Sequence, residues 1–410
     1  MKIKVLNIIQ HPPAYKNYIN NSRPEINWDT SDGNWVGIWG YDWPNLLGNE
    51  ILKLTNEFSY EVLQPDLRAD RIYSHKFENG LIHKLFPAKE IKKFYGLKSE
   101  KHIYSSSLIN YVNSLPRKVI HLNHINDYLT YAVLKNCKSN YLVQVHGKAQ
   151  HPYFDRKNIR KNILKNFYLN RVNNVLKKRK CYYLYQNSVI SKELQRIKCI
   201  GYKRLSMGVD FGFYSKKDKI ISKNFFKLNS NIITFLIASR FDENKQIDKI
   251  ITILKTLADR YNFAVLIAGS GEKEYDKYLK SLAQTLISNK KIIFTGYLRD
   301  KELLLAHSAA DLFISCSVSE GFSVSIMKAI ACETPIFSTK VGGIDEILLE
   351  QDAGILVDPF DYKQWENEIV DFLNGKPIKI VNRKIAKNLF DWPNIANEFI
   401  KIYYKINSLK

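Results

Sequence analysis

A chain of 410 residues, 45% hydrophobic and 25% charged, is long enough for two globular domains, each with a core of its own. Its formal net charge of +22 suits an anionic partner: a phosphorylated small molecule, a membrane surface or nucleic acid. No apolar run reaches the ~18 residues of a membrane span, and five cysteines without C-x-x-C spacing point to reduced thiols of a cytoplasmic protein, not to a disulfide framework or a zinc site.

In chain order, residues 4–9 read as a first strand, too short an apolar run for a signal peptide. His11, Pro12 and Pro13 break it. From Trp28 to Trp43 the chain places four of its six tryptophans, with Tyr41, Gly33, Gly37 and Gly40 among them. Aromatic faces stack on sugar rings, and glycines let a loop approach a ligand closely. Trp35, Trp39 and Tyr41 are therefore candidate sugar-binding residues; the alternative is a satellite core beneath a long loop. Residues 45–58 read as a helix. Residues 60–64, 81–85, 119–122 and 140–145 read as strands, the last running into His146 and Gly147. Strands alternating with helical segments predict a mostly parallel sheet. His121, His124, His146 and His151 lack the H-E-x-x-H type of spacing, so none is read as a metal ligand.

The run 156–180 opens on Arg156 and closes on Lys180, with ten Lys or Arg residues, no acid and apolar residues at helical spacing. A basic amphipathic helix of this kind either lies on an anionic membrane surface or turns its apolar side to its own domain. Residues 182–185 return as a strand, and 211–231 read as a linker. A second domain then begins with a strand over 232–238, followed by Arg240 and, five residues on, Lys245. Another strand over 263–268 ends in Gly269, Ser270 and Gly271, and the next, over 292–296, runs into Tyr297.

Residues 311–346 carry the densest signal. An apolar strand, 311–315, meets a polar turn at Ser317, Ser319, Glu320 and Gly321. Val324, Met327, Ile330 and Ala331 then recur at helical spacing until Thr334 and Pro335 stop the helix. A short strand, 336–339, leads to Gly342 and Gly343. This strand, loop, helix, strand order is half of a parallel α/β sheet, whose ligands bind at the carboxyl ends of the strands. Amides and helix N-termini there suit phosphates, and Glu320 suits sugar hydroxyls. Residues 352–359 close the sheet, and 394–404 read as a helix.

Glu320, Gly321, Phe322, Ala329, Ala331, Cys332, Thr334, Pro335, Val341, Gly342 and Gly343 resemble the signature of the group 1, family 4 glycosyltransferases of GT-B fold. Two positions depart: Lys328 stands where the family has a second glutamate, and Glu333 where it has glycine. The resemblance implies an α/β chain of two Rossmann-like domains with parallel sheets facing a central cleft. It divides the chain into an acceptor domain (1–210), the linker, a nucleotide-sugar domain (232–393) and a last helix (394–410) crossing back to the first domain. It also implies retaining transfer of a sugar from a nucleotide-sugar donor to a glycan or lipid-linked acceptor, with no metal and no cofactor beyond the donor. Arg240 and Lys245 match family cations on the donor diphosphate, where fixed charge stabilises the leaving group. His146 matches a strand-end histidine beside the transferred sugar, which Glu320 also holds. Gly269, Gly271, Tyr297, Gly321, Phe322, Ser323 and Lys328 fall at donor-binding places. A bacterial surface glycan on a lipid carrier is the expected acceptor, which places the protein at the inner face of the membrane. Lys328 keeps a second reading open, a non-catalytic GT-B protein that binds glycan or a partner. Nucleic acid is not expected, because no recognition motif accompanies the charge.

Overall fold

The computed structural model describes residues 2–9, 43–67, 69–91, 93–94, 97–98, 103–123, 128–146, 170–171, 174–175, 178–179, 181–188, 191–192 and 201–409. Trp35, Trp39, Tyr41, Gly147 and most of the basic run 156–180 lie outside them. The described residues form two compact units, one holding those up to Gly208 together with those from Trp392 onward, the other holding Val209–Asp391.

The first unit contains β1 (Ile3–Ile8), α1 (Trp43–Leu54), β2 (Phe58–Asp66), β3 (Tyr73–Lys76), β4 (Ile82–Pro87), α2 (Ser106–Ser114), β5 (Val119–Leu122), α3 (Tyr128–Asn136), β6 (Asn140–Gln144), β7 (Cys181–Tyr185) and β8 (Gly201–Arg204). The strands form one sheet in the order β8-β7-β6-β5-β1-β2-β4-β3. Every neighbouring pair is parallel except β3 with β4. Both faces of this sheet are covered, so β1 buries residues on each side. Val5 and Ile9 pack with Leu47 and Ile51 of α1, whereas Leu6 and Ile8 pack with Leu108, Val112 and Val133 from α2 and α3. The expected helix over 45–58 ends early, at Leu54, because the chain from Phe58 pairs with β1.

The second unit contains α4 (Lys219–Phe225), β9 (Ile233–Ala238), α5 (Ile247–Leu257), β10 (Phe263–Ala268), α6 (Lys273–Leu282), β11 (Ile292–Gly296), α7 (Asp300–Ala309), β12 (Leu312–Ser315), α8 (Val324–Ala331), β13 (Ile336–Thr339), α9 (Ile344–Glu350), β14 (Ile355–Val357), α10 (Tyr362–Leu373) and α11 (Arg383–Phe390). Its sheet is wholly parallel, in the order β11-β10-β9-β12-β13-β14. That is the doubly wound Rossmann order, which reverses direction between β9 and β12. Continuous apolar strands fit this burial: all six residues of β10 are buried. Helix α5 turns Ile247, Ile250, Ile251, Leu254 and Leu257 onto the sheet, at the spacing of one helix face.

The segment 211–231, expected as a linker, folds into this second unit. Tyr214 is buried, and the Lys223 ammonium of α4 bonds the Asp311 carboxylate at 3.2 Å and the carbonyls of Ser230 and Ile232 at 3.1 and 2.6 Å. The chain then returns to the first unit as α12 (Trp392–Asn407), which buries Ile395, Phe399, Ile402 and Tyr403 beside α1.

Candidate active site

The reversal in the second sheet leaves a crevice beyond the carboxyl ends of β9 and β12. A cavity of about 170 Å³ occupies it, lined among others by Ser239, Arg240, Lys245, Ser317, Glu320 and Ser323. The two cations, the glutamate and the first turn of α8 therefore meet at one place.

Each is held by its own local structure. Lys245 ends a short 3-10 turn, Glu243–Lys245, and its ammonium forms an ion pair with Glu320. Ser317 donates to the same carboxylate oxygen at 2.8 Å. Two bonds tie the loop after β9 to the loop after β12: the Asn244 amide donates to the Ser319 carbonyl at 2.9 Å, and the Val318 N–H donates to the Asn244 carbonyl at 2.8 Å. Arg240 is more open, 55% exposed, with Asp242 as its ion-pair partner at 3.1 Å. Ser323 caps α8 by accepting from the Ile326 N–H at 3.4 Å. The helix N-terminus thus faces the cavity and favours negative charge there. Phe322 lines the cavity but is only 6% exposed and packs on Phe390, so its main contact is with the core.

Gly269 and Gly271 stand behind this cavity and do not line it. A Cβ on Gly269, at φ +136°, would lie 1.8 Å from the Ser239 carbonyl oxygen, and one on Gly271 would lie 2.0 Å from that of Phe241. The Phe241 N–H donates to the Ser270 carbonyl at 2.8 Å. The two glycines let the loop after β10 press against the backbone that carries Arg240. Tyr297 is half-buried in the loop after β11, also outside the lining.

Lys328 is directed away from the lined cavity. Its ammonium bonds Asp300 at 3.1 Å and sits 4.6 Å over the ring of Tyr214. The Tyr214 hydroxyl donates to the same Asp300 oxygen at 2.5 Å. Burial, together with the Asp300 charge, pushes the Tyr214 phenol far up. Beside this group, His307 is fully buried, and neither ring nitrogen has a partner among the described residues. Burial, reinforced by the Lys328 charge, holds its pKa down at about 3, so the ring is neutral. Lys328 thus pairs with Asp300 and not with Glu333. Glu333 instead closes the helix: it follows Cys332 at φ 54°, its N–H donating to Ile330 and that of Thr334 to Ala329. This is a Schellman ending, whose left-handed position favours glycine.

In the first unit, His146 lies just past β6 at the end of a buried polar chain. Gln186 donates to its Nδ1 at 3.2 Å, which leaves Nε2 to carry the proton toward Asn123 Oδ1 at 3.4 Å. Asn123 donates to Asn7 at 2.5 Å and to the Ile8 carbonyl at 2.8 Å, and the ring of Trp43 lies 5.1 Å from His146. His121 sits deeper, bonded to Tyr403 at 2.8 Å and Gln144 at 3.1 Å; burial lowers its pKa to about 3. Asn123, Gln186, Asn244 and Asp300 carry no local sequence signal, because each meets its partner only through the fold. Among the described residues, no group of three His, Cys, Asp or Glu could hold a metal ion, and the four described cysteines are free and buried.

Residues 216–389 match the family model of glycosyl transferases group 1. Over 172 residues the chain is 31% identical to an uncharacterized glycosyltransferase of Methanocaldococcus jannaschii, covering 41% of this chain and 44% of that protein. Over 191 residues it is 27% identical to the D-inositol 3-phosphate glycosyltransferase of Corynebacterium urealyticum, covering 44% and 45%. The matches span a little under half the length of these relatives. Similarity in fold extends further. Sucrose-phosphate synthase from Thermosynechococcus elongatus superposes with a TM-score of 0.69 at 15% identity over 99% of both chains. Anabaena HepE in complex with UDP and glucose gives 0.68 at 16% identity, over 99% of this chain and 100% of that one. The chain has the GT-B fold, and its residues 216–389, a little over two fifths of its length, are similar to the group 1 glycosyl transferases.

Proposed function

We propose that this protein is a retaining glycosyltransferase that moves a sugar from a nucleotide-sugar donor to a glycan or lipid-linked acceptor, in the synthesis of a bacterial surface polysaccharide. The observation that carries the reading is the meeting of Arg240, Lys245 and Glu320 on one cavity at the switch point of a Rossmann sheet. Arg240 and Lys245 hold the donor diphosphate and take up the charge that grows on it as the sugar–phosphate bond breaks. Glu320, oriented by Ser317 and Lys245, accepts hydrogen bonds from the sugar hydroxyls. In the mechanism that the resemblance implies, the acceptor oxygen attacks on the face the diphosphate leaves, and its proton passes to the departing phosphate, so no protein nucleophile is required. His146, with its proton on Nε2, is the proposed first-unit contributor to the same reaction. Trp35, Trp39 and Tyr41 are the proposed acceptor platform. Gly321 and Ser323 sit at the donor phosphates, while Gly269 and Gly271 act through the Arg240 loop.

Metal-independent transfer by a cytoplasmic protein attached to an anionic membrane through residues 156–180 completes the proposal. Among the described residues, no helix is long and apolar enough to cross a membrane. The test is a panel of nucleotide sugars read by thermal shift and by transfer, with and without EDTA. Stabilisation by one donor, with transfer insensitive to EDTA, is the expected result.

One observation favours a second reading. Lys328 is engaged with Asp300 and Tyr214 in place of the family's glutamate, which would suit a chain that binds glycan without transferring sugar. That reading predicts acceptor binding with neither transfer nor hydrolysis of any donor.

A further inference from the structure

The first unit holds a second cavity, at the opposite end of its sheet from His146. It opens where β5, β6 and β7 begin, has a volume of about 770 Å³, and lies within the usual range for ligand pockets. Of its eleven lining residues, five are cations, Arg117, Lys118, Lys138, Lys178 and Arg179, and none is an acid. The whole chain has 62 Lys and Arg among 410 residues, so this lining is far more basic than composition alone would make it.

The cations are fixed by neutral groups. Arg117 donates to the Asn407 carbonyl, and Lys118 donates to the Leu115 carbonyl at 2.7 Å. Arg179 donates to the carbonyls of Leu134 and Lys135 at 3.0 and 3.3 Å. These carbonyls lie at or just past the ends of α12, α2 and α3. Three helix C-termini offset roughly 0.5 of a charge each, against five full positive charges. The cavity therefore keeps a surplus of about three and a half positive charges. Three of the cations are also held in place before any ligand arrives, which lowers the entropy cost of binding one.

We propose that this cavity is a binding site for a multiply charged phosphate group, separate from the donor cavity. Phosphate oxygens accept from guanidinium and ammonium groups in short charge-assisted bonds, and Arg117 and Arg179 add planar, forked donors. The phosphate comes either from a lipid headgroup or from a soluble phosphate ester.

The experiment titrates inorganic pyrophosphate into the full chain carrying Arg240→Ala and Lys245→Ala, which removes the cations of the proposed donor site. Binding that remains, weakens with salt, and falls about tenfold or more when Lys138→Glu and Lys178→Glu are added is the expected result. Both lysines are exposed, so thermal unfolding of the variants should be unchanged. The neutral pair Lys138→Gln and Lys178→Gln should lose a smaller part of the affinity. No remaining binding, or binding indifferent to all four substitutions, overturns the proposal. Sedimentation with phosphatidylglycerol vesicles, comparing wild type with Lys138→Glu alone, identifies the source. Reduced sedimentation assigns the site to a lipid headgroup, and unchanged sedimentation alongside pyrophosphate binding assigns it to a soluble ester.

Discussion

Glu333→Gly should stabilise the second unit. Glu333 occupies the left-handed position after α8, at φ 54°. A residue with a Cβ pays roughly 1–2 kcal/mol in that conformation. Glycine removes this strain but adds about 0.4–1 kcal/mol of unfolded-chain freedom. The net gain is about 0.5–1 kcal/mol. The substitution removes no side-chain hydrogen bond or ion pair found among the described residues, and both Schellman bonds are made by backbone N–H groups that glycine keeps. For a unit of this size the gain corresponds to roughly 1–4 °C in Tm. Differential scanning calorimetry of the full chain reads it, with Glu333→Ala as the control, since alanine keeps the strain while removing the charge. A Tm that rises for glycine and stays flat for alanine is expected. Equal shifts in both would show that the carboxylate matters and not the backbone, refuting the argument.

Three further outcomes follow from the same geometry. His121 and His307 are held neutral, with pKa values lowered from 6.5 to about 3, so the unfolded chain binds more protons than the folded one between those values. Their contribution to stability is full above pH 6.5 and is lost as pH falls toward 3, by up to about 1.4 kcal/mol per pH unit for each histidine; denaturant unfolding at pH 7.5 and pH 5 measures it, and equal stability at both would refute it. Gly269→Ala should destabilise the second unit by about 1–3 kcal/mol and lower turnover, because its Cβ would meet the Ser239 carbonyl in the loop that carries Arg240; a variant with wild-type Tm and turnover would contradict this. Lys328→Glu sets a second carboxylate beside Asp300, so a loss of up to about 1 kcal/mol is expected, with a shift in donor KM; an unchanged KM for every donor would make Lys328 a structural residue only.

Much of the second unit was legible because its strands are buried on both faces and read as unbroken apolar runs, as in Phe263–Ala268. Arg240 and Lys245 are singled out through the family resemblance, and Glu320 also by the polar turn it occupies after a strand; the structure lines one cavity with all three. Other features were not. β3, Tyr73–Lys76, is a polar edge strand with three of its four residues exposed, so it lacks a hydrophobic pattern. The segment 211–231 reads as a linker because its anchors, Tyr214 and Lys223, find their partners at Asp300 and Asp311, far along the chain. Lys328 and Asp300 are 28 residues apart, and Gln186 and His146 are 40, distances at which sequence periodicity carries no information. Gly269 and Gly271 are assigned to the nucleotide pocket by the place of their turn in the family order; the lack of room for a Cβ at either shows that they pack against the backbone around Arg240, a contact no sequence pattern announces.

The central claim is that Arg240 and Lys245 stabilise a leaving diphosphate. The direct measurement is kcat/KM of Arg240→Ala and Lys245→Ala with whichever nucleotide sugar the wild type uses. One charge-assisted contact is worth about 1.5–3 kcal/mol, a loss of roughly 10-fold to 150-fold. Arg240 is 55% exposed, so its variant should lose that activity with its Tm intact. Lys245→Ala should lose a similar factor and also leave Glu320 without its cation. Two variants that fold and keep kcat/KM within about twofold of wild type, well short of one such contact, would contradict the account.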